Sequence, residues 1–173
     1  MTRLALISTG GTIEKTYDEL SGVLENEVSV LDVMLGSLEL RGVSIERIAL
    51  MNKDSLDLTP EEHTLIATTA LAYADSHDGV VVVHGTDRLS VTGERICELA
   101  PRCGVPIVLT GAMRPYLLRN TDALQNLTEA LLAAQVLSPG VYVAMHSQVH
   151  RFPGVKKDRG LGTFVSSEDG MEP

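Results

Sequence analysis

The sequence predicts a doubly wound α/β domain. Short apolar runs that read as strands alternate with segments of helical length and pattern, and glycines and polar side chains gather just after the strands. The central run, Val80 to Val83, is apolar at every position, as a strand covered by helices on both faces must be. A chain of 173 residues with 44% hydrophobic content can bury one core, so one domain over residues 1–173 is expected.

Taken in order, Leu4 to Ile7 reads as a buried strand that ends in Thr9-Gly10-Gly11-Thr12. Glycines there let the chain turn sharply and let backbone approach something small. Residues 9–28 are polar and irregular, long for a compact domain, and are expected to form a mobile lid over about 13–28. Val43 to Met51 reads as the second strand. Thr59 as N-cap, Pro60 at the first helical position and Glu62 closing a capping box start a helix that runs to about Ser76. Asp78-Gly79 turns the chain into Val80 to Val83, and a helix over Leu89 to Leu99 follows. Val105 to Leu109 is the next strand. The next helix sets Leu124, Leu127, Leu131 and Ala134 on one face. Val141 to Met145 is the last clear strand, and an irregular segment is expected over about 147–173. Five strands joined by helices or helix-length crossovers imply a mostly parallel sheet of the Rossmann or flavodoxin kind, with ligands outside the carboxyl ends of the strands.

Charge narrows the function classes. Fourteen Lys and Arg against 23 Asp and Glu give a net charge of −9, which opposes nonspecific attraction to nucleic acid or anionic lipid. No apolar run is long enough to span a membrane, and the apolar stretch after Met1 is too short for a signal-peptide core, so a cytoplasmic protein is expected. Cys97 and Cys103 match neither a metal pair nor a redox motif and read as reduced structural thiols. "GGTIEKT" has Glu14 where a phosphate loop needs glycine, and a carboxylate there repels phosphate. His146 and His150, four apart at a strand exit and without the glutamate of the zinc helix motif, read as surface or packing residues. Neither a metal nor a cofactor is expected.

"TGGTI" (Thr9 to Ile13), "DSLDLTP" (Asp54 to Pro60), "HGTD" (His84 to Asp87) and "GAMRP" (Gly111 to Pro115) occur in that order at predicted strand ends. In order and spacing they resemble the bacterial-type L-asparaginase family, over residues 1 to about 160. The likeness is to its short-chain form lacking the carboxyl-terminal domain, as in the short L-asparaginases of photosynthetic bacteria. That resemblance implies hydrolysis of L-asparagine to L-aspartate and ammonia through a threonine nucleophile and an acyl-enzyme, with weak substrate affinity and little glutaminase activity. Thr12 matches the nucleophile and Tyr17 its partner on the lid; Thr86, Asp87 and Lys157 match a second catalytic cluster. Asp54 and Ser55 fall where the family holds the substrate α-carboxylate, Ala112 offers its carbonyl to the leaving amide, and Gly11 and Gly85 bring backbone to the substrate. Backbone N–H groups near Thr12 and Thr86 are the expected oxyanion donors.

Two features depart from the family pattern. Arg88 follows "HGTD" where acidic residues are common, and Lys156-Lys157 leaves a one-residue ambiguity in the catalytic lysine, for which ungapped spacing from Met145 favours Lys157. A homo-oligomer, dimer or tetramer, is implied by the resemblance and by helices such as "ALLAAQVL" with apolar residues to spare. Two other classes remain open: a non-catalytic asparagine- or aspartate-binding sensor, and a subunit of a larger amidotransferase.

Overall fold

A computed structural model describes residues 1–26 and 29–167. Its centre is a six-stranded sheet built from β1 (Thr2–Gly10), β4 (Val43–Lys53), β5 (Gly79–Val83), β6 (Pro106–Thr110), β7 (Gly140–Met145) and β8 (Gln148–Arg151). The spatial order is β4-β1-β5-β6-β7-β8; the first five run parallel and β8 pairs antiparallel with β7. Two short hairpins stand outside this sheet: β2 (Thr16–Asp18) with β3 (Val23–Glu25), and β9 (Val155–Asp158) with β10 (Thr163–Ser166).

Strand alternation divides the core in two. Ala5, Ile7, Val80 and Val82 meet Ile66, Ala67 and Ala70 of α2 (Pro60–Ala74) and Leu89 and Ile96 of α3 (Leu89–Leu99). Leu4, Leu6, Val81 and Val83 meet Leu31 and Met34 of α1 (Leu31–Gly36) and Leu127, Ala130 and Leu131 of α4 (Ala123–Val136). Helices therefore cover both faces, and the predicted fold class stands. On α4 the expected face is buried at Leu127, Leu131 and Ala134 and partly buried at Leu124. The capping box of α2 is present: Thr59 Oγ1 accepts from the Glu62 N–H at 3.2 Å, and the Glu62 carboxylate accepts from the Thr59 N–H at 2.9 Å.

The differences from expectation lie in short elements. Residues 9–28 are not simply irregular: a 3-10 turn at Thr12–Glu14 leads into the β2–β3 hairpin, with residues 27 and 28 outside the described set. The segment expected to be irregular from 147 carries β8, β9 and β10 through Ser166, with 168–173 outside the described residues. Strands of three or four residues place at most two side chains on each face, so no alternation is readable, and partners distant in sequence define them. The six-residue α1 was missed as well, because it is too short to repeat a helical stripe. No helix among the described residues is long and apolar enough to cross a membrane.

Candidate active site

The connection from β1 leads to β4 on one side, whereas that from β5 leads to β6 on the other. The order in which strands are added to the sheet therefore reverses between the parallel β1 and β5, the position at which a doubly wound sheet forms a crevice beyond the carboxyl ends of its strands. Three loops meet there through backbone. Gly11 has φ 83° and gives its N–H to the Lys53 carbonyl at 2.8 Å; a Cβ on it would lie 2.4 Å from Gly85 Cα. A Cβ on Gly85 would in turn lie 2.6 Å from the Ser55 side chain. Only glycine lets the turns after β1 and β5 touch, and this contact sets Thr12 beside the Thr86 loop.

Thr12, partly buried, opens the 3-10 turn and makes no side-chain hydrogen bond to any described residue. Glu14, the last residue of that turn, is fully buried; its carboxylate accepts from the Gly10 N–H and the Ser29 hydroxyl, and burial raises its pKa. The residue that breaks the phosphate-loop pattern thus braces the glycine turn from below. Tyr17 sits on the β2–β3 hairpin, 57% exposed and without a hydrogen bond to Thr12.

Across the glycine contact the arrangement is tighter. Lys157 Nζ donates to Thr86 Oγ1 at 2.8 Å and to Asp87 Oδ1 at 3.0 Å, and Arg159 gives Asp87 a second charged donor at 3.1 Å. Strand alternation along β9 explains the choice of lysine: Lys157 turns inward while Lys156 faces solvent. Ser55, buried, accepts the Arg88 N–H at 3.3 Å; the Arg88 side chain is exposed. Asp54 caps the Ser55–Asp57 turn through the Leu56 N–H and pairs with Lys15 at 2.7 Å, whose hydrogen bond holds the Asp54 carboxyl below its ordinary range. A cavity of about 400 Å³ lies between hairpin and turn, lined by Lys15, Glu25, Asn26, Asn52, Asp54 and Asp57 among others.

Ala112 is buried in the loop after β6, which a polar network shapes. Asp122 accepts the N–H groups of Met113 and Arg114, each at 2.9 Å, and the His146 Nε2–H at 2.6 Å; Asn126 Nδ2 donates to the Gly111 carbonyl at 2.9 Å. Burial opposes the Asp122 charge, but these donors prevail and keep its pKa below the ordinary value. The sequence reading missed Asp122 and Asn126 as shaping residues. Their signal was a pair of polar side chains four apart at a helix start, on the face that should be apolar. His146, read as a surface or packing histidine, is a partner of that pair at φ 55°.

Arrangement and motifs now meet the comparisons with known proteins. The family model described as Asparaginase, N-terminal, matches residues 3–170. The chain belongs to the asparaginase family. Among its asparaginase-family relatives, the L-asparaginase of Thermococcus kodakarensis is 32% identical over 160 residues, which are 92% of this chain and 49% of that protein. A glutamyl-tRNA(Gln) amidotransferase subunit of Methanococcus vannielii is 28% identical over 151 residues, 86% of this chain and 35% of that protein. The solved T. kodakarensis structure superposes with a TM-score of 0.83, covering 95% of this chain and 51% of that one. L-asparaginase I of Vibrio cholerae gives 0.79 at 26% identity, with 95% and 51% covered. This asparaginase-family chain thus spans about half the length, or less, of the relatives it matches.

Proposed function

We propose that this chain carries the hydrolytic site of an L-asparaginase, converting L-asparagine and water to L-aspartate and ammonia. The observation that carries the reading is the Lys157 ammonium held on both Thr86 and Asp87, directly across the Gly11–Gly85 contact from Thr12. The family membership supports it.

In this reading Thr12 Oγ attacks the side-chain amide carbon. Its proton passes to a neighbouring base, the carbonyl oxygen becomes an oxyanion, and collapse expels ammonia with a proton delivered to nitrogen, leaving an ester on Thr12. Water then attacks that ester, giving aspartate and restoring the hydroxyl. Tyr17, which closure of the hairpin would carry to Thr12, is the proton partner for the first step. With its amine neutral, Lys157 takes the proton of the attacking water through the Thr86 hydroxyl and returns it to the departing Thr12 oxygen, and the Asp87 carboxylate orients that lysine and pairs with the substrate α-ammonium. Ser55 and the backbone of the Asp54–Asp57 turn receive the α-carboxylate. Gly11 and Gly85 line the approach, and the Ala112 carbonyl accepts from the amide that leaves. The N–H groups of Thr12 and Thr86 face the developing oxyanion.

Ammonia release from L-asparagine and L-glutamine, followed to high concentrations, tests this. Saturable release from asparagine, far faster than from glutamine, is the expected result; a folded protein that binds asparagine and releases nothing would make the domain a sensor. The amidotransferase relatives favour a second reading, in which the domain supplies ammonia to a partner enzyme. That reading predicts release only when a partner chain is bound, whereas the leading one predicts release by the purified chain.

A further inference from the structure

His84 is fully buried one residue before the Gly11–Gly85 contact, and the proposed chemistry does not use it. Its Nδ1 lies 2.8 Å from the Gly85 carbonyl oxygen and its Nε2 2.8 Å from Thr92 Oγ1; Thr92 Oγ1 also lies 2.7 Å from Nδ1 of buried His63. The two rings stack at 5.9 Å between centroids. These contacts permit one proton arrangement when both rings are neutral. A carbonyl only accepts, so His84 Nδ1 carries the proton and Nε2 accepts from the Thr92 hydroxyl; the hydroxyl oxygen then accepts from His63 Nδ1–H. His63 Nε2 is left as a bare acceptor, and it is a buried nitrogen without a hydrogen-bond partner among the described residues. Burial pushes the pKa of His84 down to about 4, and burial, aided by Arg88, lowers that of His63, so the neutral arrangement holds at neutral pH.

The wire ends on one peptide unit. A trans peptide points its C=O and N–H in opposite directions, so a carbonyl locked onto His84 sends the Thr86 N–H the other way. That N–H gives its hydrogen bond to no described group. We infer that His84, held in one tautomer by Thr92 and His63, is a positioning residue that fixes the Gly85–Thr86 peptide so that the Thr86 N–H stays aimed as an oxyanion donor. The inference rests on the hydrolytic reading above for the use made of that N–H, but not for the orientation of the peptide.

Two substitutions separate the ends of the ring. His84→Asn retains a donor near the position of Nδ1 and loses the contact to Thr92, whereas His84→Gln reaches Thr92 and loses the donor to Gly85. His84→Gln is expected to lower kcat about tenfold or more with KM changed little, and His84→Asn to restore most of that loss. Thr92→Val against Thr92→Ser gives a gentler pair: the hydroxyl-free variant loses kcat and the serine variant keeps it. Equal losses in both members of each pair, tracking Tm, or a His84→Gln enzyme with unchanged kcat, overturn the inference. Residual dipolar couplings of the Thr86 N–H provide a readout without turnover, altered in His84→Gln and Thr92→Val and preserved in the other two. Should the wild type release no ammonia, the functional reading falls and the couplings alone decide whether His84 sets the peptide; unchanged couplings overturn that too.

Discussion

The two threonine loops of the site are built to different standards. Thr86 is 4% exposed, on a turn between a fully buried central strand and helix α3, with Lys157 on its hydroxyl and His84 on the carbonyl of the preceding residue. Thr12 leads, past buried Ile13 and Glu14, into a hairpin of two three-residue strands that among the described residues pair only with each other, and no residue from 16 to 25 belongs to either core cluster. One half of the site is set by packing before any ligand arrives. On the other side packing holds the turn as far as buried Ile13 and Glu14, and the hairpin beyond it, which carries Tyr17, has few of the buried contacts that resist local opening. For the proposed hydrolysis, which must admit first the amide and then water, that division assigns electrostatics to the packed side and gating to the hairpin.

The sharpest way to break the comparison is to remove the hydroxyl at the base of the hairpin. Thr12→Val, nearly isosteric, should lower ammonia release about 10⁴-fold or more, while leaving circular dichroism and Tm close to wild type. Turnover within tenfold of wild type would reassign the nucleophile to the rigid side. Next, Lys157→Met should cost about 10² to 10⁴ in kcat. Lys156→Met, on the solvent side of the same strand, should stay within about twofold; the reverse pattern would put the wrong lysine in the site. Tyr17→Phe should lower kcat about 10²-fold with Tm unchanged, since an exposed side chain contributes little to the fold. A fall in Tm matching the loss of rate would mean the hairpin is structural.

The smallest effect on rate and the clearest on stability belongs to the loop after β6. Asp122→Asn should destabilise the protein by about 1–3 kcal/mol at pH 7, because it leaves buried N–H donors facing an amide. The pH dependence has a definite sign. The folded-state pKa of Asp122 lies below its ordinary 3.8, so the carboxylate contributes stability above that value and loses it as pH falls through the lower, folded-state value. The gap between wild type and variant should therefore be full near pH 7 and close below about pH 4 in denaturant titrations. A gap independent of pH would mean the charge is not what Asp122 contributes.

How far the sequence could be read follows the same division. β1, β5, β6 and β7 were legible because each buries a continuous apolar run, and α2, α3 and α4 by their caps or helical stripes; β4, with no buried residue, was read from its apolar content, and the glycine and polar loops after the strands marked the crevice. Both hairpins and the antiparallel β8 were not, since their pairing is a relation between distant segments rather than a local period. The choice of Lys157 over Lys156 was made from spacing alone, and alternation on a strand that had not been foreseen turns that residue toward Thr86. Asp122 and His146, 24 residues apart, meet only because α4 starts beside the end of β7. His84 was quoted within a motif and passed over, because the motif was read for hydroxyls and carboxylates rather than for the ring behind them.

The touch between Gly11 and Gly85 has a consequence for how this site can change over generations. Where two side chains collide, a larger residue on one can be offset by a smaller residue on the other, and the pair can drift together. Here the atoms that an added methyl on Gly11 would strike are the Cα and N of Gly85, which every amino acid possesses. No replacement at Gly85 can make room. The separation of the two threonines is therefore inherited as a fixed length, and variation in such a site is confined to what surrounds that length: the charge at Arg88, the hairpin, and the rims of the crevice.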